Sequence, residues 1–317
     1  MTQGDTSLGG DTCVSIESVT VTVGATGADL ATEIDVEGPP LPLGRRVPLP
    51  RRGTTFVREV AGPPGAPTLL LLHGWVASGG LNWYQTFDAL GGEFNVLAPD
   101  LRGHARGVRS RRIFRLADAA DDMAAMLTEL DTGPVIAVGY SMGGPVSQLL
   151  WRRHRDLVAG LVLCATAPGF VPNSAARFSY QSYMLGVAAG ARVAAMAPRL
   201  PRVPLVGSRT RFMPAWVAAE MRRHDWRMVV EAGQSLSTYY AGRWIGEVDV
   251  PTAVVCTNHD RAVNPALQRE MADAIPGATL YDIDDGHLAC AHADFADPLL
   301  RAARDVAHRA ADVGLLA

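Results

Sequence analysis

Lysine is missing from this chain: all 29 of its lysine-or-arginine positions are arginine. That absence excludes lysine Schiff-base chemistry, and it fits a GC-rich coding genome rather than any particular activity. Cysteine is scarce, with only Cys13, Cys164, Cys256 and Cys290 in 317 residues. No CxxC or Cys/His spacing joins them, which argues against a disulfide scaffold and against a metal centre. Cys164 and Cys256 sit inside the apolar runs LVLCAT and AVVCTN, where a thiol behaves as a small hydrophobe. A reducing compartment is the expectation. No apolar run approaches the roughly 18 residues of a membrane-spanning helix. The start, MTQGDTSLGGDTCVSIE, lacks the basic n-region and apolar core of a secretory signal. These features predict a soluble cytoplasmic protein. Excess charge is also missing: the formal net charge of -3 gives no general attraction to nucleic acid.

What is present is apolar sequence, 48% of the chain, enough for one large α/β domain with an insertion. Residues 1–40 are rich in Gly, Thr, Asp and Pro and read as an N-terminal extension, with VTVTV (Val19 to Val23) alternating like an edge strand. From about Val47 a strand–helix alternation begins. TTFVREV, TLLLLHG, FNVLAPD, PVIAVGY, LVAGLVLCAT, PTAVVCT and ATLYDID read as strands, several continuously apolar as in strands covered on both faces. Between and after them NWYQTFDALGG, RLADAADDMAAMLTEL, GGPVSQLLWRRHRD, PALQREMADAI and PLLRAARDVAHRA read as helices. The prediction is a mostly parallel α/β sheet with helices on both faces, spanning 41–168 and 247–317. The segment 169–246 is helix-prone, punctuated by proline, and without a convincing buried strand. It is expected to form a helical cap inserted after the sixth strand, over the carboxyl edge of the sheet where open α/β folds bind ligands.

The stretch VIAVGYSMGG places Ser141 between Gly139 and Gly143, after a predicted strand and before a predicted helix. That is the setting of a G-x-S-x-G elbow, in which a strained serine is lifted to a helix N-terminus. A serine hydroxyl needs a base to become a nucleophile. His287 in DIDDGHLA follows the last predicted strand and is the expected base, with His292 its nearest rival. Asp260 in TNHDRAVNP follows the strand PTAVVCT and is the expected orienting carboxylate. Asp284 and Asp285, close to His287 in sequence, read as a solvated turn. In LLLLHGW the backbone N–H of Trp75, together with that of Met142, is expected to form a two-donor oxyanion hole. His73 reads as a histidine bracing loops rather than a second base.

HGW, PDLRGH, GYSMGG, HDRAVNP and DGH occur in an order and spacing that resemble the α/β-hydrolase superfamily from about Val47 to the C-terminus. One position departs from the pattern: where many relatives read R-G-x-G-x-S, Ala105 replaces the second glycine, which bears on the shape of that loop. The resemblance implies attack of Ser141 on a carbonyl, an acyl-enzyme, and release of the acid by water, with Asp260 holding the His287 tautomer. Hydrolysis of a carboxylic ester, of medium chain or lipid-like, is the leading expectation. Cofactor-free haloperoxidases and perhydrolases, C–C bond hydrolases and acyltransferases share the triad. A non-catalytic binding protein would usually have lost one member of it. No cofactor or metal is expected.

The insertion mixes Leu, Val, Met and Ala with Arg192, Arg199, Arg202, Arg209 and Arg211. It reads either as a cap packed on its own core or as a lid touching acyl chains and an anionic membrane surface. A second arginine run, RGHARGVRSRRIFR, reads as a solvated loop in preference to an acid-binding one, with the acidic helix after it able to neutralise it.

Overall fold

The computed structural model describes residues 38–170 and 213–316. The VTVTV segment, the extension up to residue 37, Cys13 and the insertion from 171 to 212 lie outside the described residues. Eight strands form one sheet: β1 (Gly44–Leu49), β2 (Gly53–Val60), β3 (Thr68–Leu72), β4 (Asn95–Pro99), β5 (Val135–Tyr140), β6 (Val158–Cys164), β7 (Thr252–Thr257) and β8 (Thr279–Ile283). Their order is β1-β2-β4-β3-β5-β6-β7-β8. The β1–β2 and β2–β4 pairings are antiparallel, and every pairing from β4 to β8 is parallel.

The continuously apolar strands are explained by burial on both faces. Side chains alternate along a strand, so Leu70 and Leu72 of β3 enter one core while Leu69 and Leu71 enter the other. The first core contains residues of α3 (Leu116–Leu130), α4 (Gly143–Arg153) and α7 (Pro265–Ala274). The second contains residues of α1 (Gly79–Trp83), α2 (Phe87–Gly91) and α8 (Ala296–Asp312). Two further helices, α5 (Met213–Arg222) and α6 (Trp226–Thr238), lie between β6 and β7 in the chain. No helix among the described residues is long and apolar enough to cross a membrane.

Three expectations need correction. The sheet starts one strand earlier than TTFVREV, because GRRVPL pairs along β2 as an edge strand. Two arginines and a proline disguised it, and an edge is where proline is tolerated in a sheet. NWYQTFDALGG is not one helix: α1 stops at Trp83 and α2 restarts at Phe87, with the Thr86 hydroxyl donating to the Trp83 carbonyl at 2.9 Å. The arginine run is not simply solvated. Arg102 is buried and forked onto Asp122 of α3 at 2.6 and 2.7 Å. Arg106 is buried too, 3.0 Å from Glu220 of α5. The exposed part of the run begins at Arg109.

Ala105, the departure from the family pattern, has φ +38 and is fully buried. The chain keeps a left-handed turn there without the glycine that suits it, and a Cβ in that region costs about 1–2 kcal/mol. Ala105→Gly is therefore expected to stabilise the fold by up to about 1 kcal/mol once the greater freedom of glycine in the unfolded chain is counted. Urea denaturation of the two proteins measures this directly.

Candidate active site

Strand β5 ends at Tyr140 and α4 begins at Gly143, leaving Ser141 and Met142 to turn the chain. Ser141 has φ +51. Its strained backbone is held on both sides: the N–H donates to the Cys164 carbonyl at 3.0 Å, and its carbonyl accepts from the Gly144 N–H at 2.9 Å and the Thr166 hydroxyl at 2.8 Å. The glycines of the motif are required by close approach. A Cβ on Gly143 would lie 2.0 Å from the Leu72 carbonyl oxygen, and one on Gly139 would lie 2.5 Å from that of Gly143.

The side chains of Ser141, His287 and Asp260 meet although they are far apart in sequence. His287 Nε2 lies 3.0 Å from Ser141 Oγ, and its Nδ1 lies 2.7 Å from Asp260 Oδ2. An ionised carboxylate only accepts, so Nδ1 carries the proton and Nε2 is left to accept from the serine hydroxyl. Asp260 is buried and receives further bonds at 2.8 Å from the Thr257 hydroxyl and from the N–H groups of Ala262 and Val263. Burial pushes its carboxyl upward, but the bonds from His287, Val263 and Thr257 outweigh this and hold it below the ordinary aspartate value. The His287 carbonyl accepts from the Tyr140 hydroxyl at 2.8 Å, which ties the loop after β8 to β5. Chemically, the arrangement can take a proton from a hydroxyl at the mouth of a helix and store it on an imidazole stabilised by a buried carboxylate.

The rival groups are placed elsewhere. His292 Nδ1 pairs with Asp285 at 2.6 Å, and Asp284 pairs with His259 at 2.6 Å, both at exposed positions. Sequence reasoning missed Thr257 and Tyr140, although both flank the chosen residues at strand ends. It also missed Asn82, whose side-chain oxygen accepts from the Gly74 N–H at 2.9 Å, and nothing in the sequence points to that contact.

Gly74 runs directly past the serine, since a Cβ on it would lie 3.4 Å from Ser141 Cβ. Beyond it, the Trp75 indole N–H donates to the Val229 carbonyl of α6 at 2.7 Å, and Val76 has φ +60. The loop is braced from below by His73, whose Nε2 accepts from the Leu101 N–H at 2.9 Å while Nδ1 donates to the Gly74 carbonyl at 2.8 Å. The His73 ring meets His104 edge-on, and His104 in turn meets His224, which accepts from the Ala105 N–H at 2.7 Å. Burial drives His73 down to about 3, overcoming the Gly74 carbonyl that favours protonation. Burial likewise lowers His104 and His224.

The model of the α/β-hydrolase fold family matches residues 67–293. The chain is 35% identical over 104 residues to a pimeloyl-[acyl-carrier protein] methyl ester esterase of Vibrio atlanticus, a match covering 33% of this chain and 38% of that protein. It is 27% identical over 238 residues to a poly(3-hydroxyalkanoate) depolymerase of Ectopseudomonas oleovorans, covering 71% and 80% of the two chains. Among solved structures, an enol-lactonase from Burkholderia xenovorans superposes with a TM-score of 0.64 at 21% identity, over 83% of this chain and 99% of the other. At that identity the likeness concerns the fold.

The histidine cluster predicts acid sensitivity. Its members are neutral in the fold and titrate near 6.5 when unfolded, so below that pH the unfolded chain binds more protons. Stability is fully present above about 6.5 and is lost as pH falls toward 3, at about 1.4 kcal/mol per pH unit for His73 alone. His73→Asn should cost stability at neutral pH but flatten this slope. Denaturant melts between pH 4 and 7.5 give both quantities.

Proposed function

The chain belongs to the α/β-hydrolase fold family, and within that family we propose that it is a serine hydrolase that cleaves a carboxylic ester through an acyl-enzyme on Ser141. The observation that carries this reading is the unbroken relay from Asp260 through His287 to Ser141, at 2.7 and 3.0 Å. His287 Nε2 takes the hydroxyl proton as Ser141 Oγ attacks the ester carbonyl. The backbone N–H groups of Trp75 and Met142 receive the negative charge that develops on the carbonyl oxygen. Collapse expels the alcohol, which leaves with the proton held by His287. Water then gives a proton to the same nitrogen, attacks the acyl carbon, and releases the acid with Ser141 restored. Ester hydrolysis is favoured over the other reactions open to this triad because one relative is named a methyl ester esterase.

The segment 169–246 is proposed as the cap that selects the acyl group. In support, the Val229 carbonyl in this segment holds the Trp75 indole, so the cap and the proposed oxyanion loop are hydrogen-bonded to each other. The apolar character of 184–206 favours a medium-length acyl chain.

Ser141→Ala and His287→Ala are each expected to lose several orders of magnitude in esterase rate while keeping the fold. Asp260→Asn is expected to be severely impaired through the wrong imidazole tautomer, and His292→Ala to be mild. Near wild-type turnover by purified Ser141→Ala would refute the assignment.

A p-nitrophenyl ester series tests the substrate class separately. Each buried methylene contributes about 0.8 kcal/mol, so kcat/KM should rise steeply with chain length until the pocket is full. A peak at acetate would sink the apolar pocket and favour a small-ester hydrolase or perhydrolase.

A further inference from the structure

A cavity of about 500 Å³ opens between the β1–β2 hairpin, the loop after β4 and the residue that follows α5. Four arginines line it, Arg46, Arg106, Arg109 and Arg223, together with Thr54, Ala105 and Gly107. None belongs to the proposed triad or oxyanion loop. Arginine keeps its charge at any physiological pH, so those of the four that no carboxylate offsets favour an anion between them.

Two of the four have structural duties. Arg106 and Arg223 both pair with Glu220, at 3.0 and 2.5 Å, and Arg106 also lies 3.8 Å from the buried Asp100 carboxylate and stacks on the Phe56 ring at 4.8 Å. These contacts fix where the two guanidiniums stand. The other two are different. No carboxylate among the described residues lies within ion-pair distance of Arg46 or Arg109. Arg109 is held instead by neutral acceptors, the carbonyls of Ala105 and Arg223. Burial depresses Arg109, Asp225 and Asp100 oppose this from a distance, and the Arg46 charge depresses it further. The backbone at the cavity is strained as well: Ala105, on its wall, is in the left-handed region at φ +38. Strain of this kind gathers where ligands are held.

We propose that this cavity is a binding site for a doubly charged phosphate group. A tetrahedral oxyanion presents several acceptors in different directions, which suits forks arriving from separate elements and a threonine hydroxyl beside them. A space of this size also has room for more than the phosphate itself, such as the organic part of a phosphate ester. The site stands apart from the ester chemistry proposed above, and its test does not depend on that activity.

The test is calorimetric titration of the full-length protein at low salt with inorganic phosphate and, in a second arm, glycerol 3-phosphate. Saturable one-to-one binding with Kd below about 1 mM is expected, weakening as sodium chloride is raised. Arg46→Ala should weaken binding about tenfold, the loss of one charge-assisted contact. That variant is the informative one, because Arg46 is exposed and removing it leaves the Glu220 pairs intact. An unchanged melting temperature confirms the fold. Arg109→Ala should weaken binding at least as much. Tighter binding of the ester than of the free ion would identify an organophosphate occupant, and equal binding would identify free phosphate. No binding to the full-length protein at low salt, or binding that both arginine variants leave unchanged, overturns the proposal.

Discussion

The left-handed backbone of Ser141 is the constraint on which the rest of the site depends. An L-residue resists that conformation by about 1–2 kcal/mol, so it persists only where neighbouring contacts impose it. Here they come from the two strands that flank β5. The Cys164 carbonyl at the end of β6 takes the Ser141 N–H, Thr166 beyond it caps the Ser141 carbonyl, and the end of β3 presses so closely on Gly143 that no side chain fits. The serine is therefore aimed by the sheet, and its hydroxyl has little freedom to lose when it meets His287.

Similar strain recurs along the same edge. Val76, Ala105, Ser141 and Ala165 all have positive φ, and they follow β3, β4, β5 and β6 respectively. Each lies just past the carboxyl end of a strand in the parallel part of the sheet, where ligands of such sheets bind. A regular strand-to-helix connection needs no such geometry. The shared position shows that strained backbone gathers at the carboxyl edge of the sheet.

The helices between β6 and β7 join that edge through apolar residues of α6, Met228, Ala232 and Leu236, which enter the first core, and through polar contacts as well. Asp225 donates its N–H to the Gly103 carbonyl at 2.8 Å, Glu231 accepts from the Phe114 N–H at 2.9 Å, and Glu220 meets the buried Arg106. Buried ion pairs bring little net stability, because desolvation offsets their attraction, but removing one partner leaves a costly unpaired charge. Such contacts specify one seating of α5 and α6 against the loop after β4. Through Val229 and Trp75 that seating extends to the backbone beside Ser141.

Much of this could be read along the chain because it is written locally. Apolar runs covered on both faces, glycines around a serine, and polar residues at strand ends follow from nearest-neighbour sterics and burial, so β2 to β8 and the positions of Ser141, Asp260 and His287 were legible in the residue order. The GRRVPL edge strand was not, since only pairing with β2 makes two arginines and a proline extended. The arginine run was misread for a related reason. Whether a guanidinium faces water or a carboxylate depends on partners distant in sequence, such as Asp122 for Arg102 and Glu220 for Arg106. The sequence by itself determined the strand–helix alternation and the order of the chemical groups, which local chemistry controls. Only the tertiary structure decided which charges are buried and that four arginines line one cavity, because those depend on distances across the sheet that no local pattern encodes.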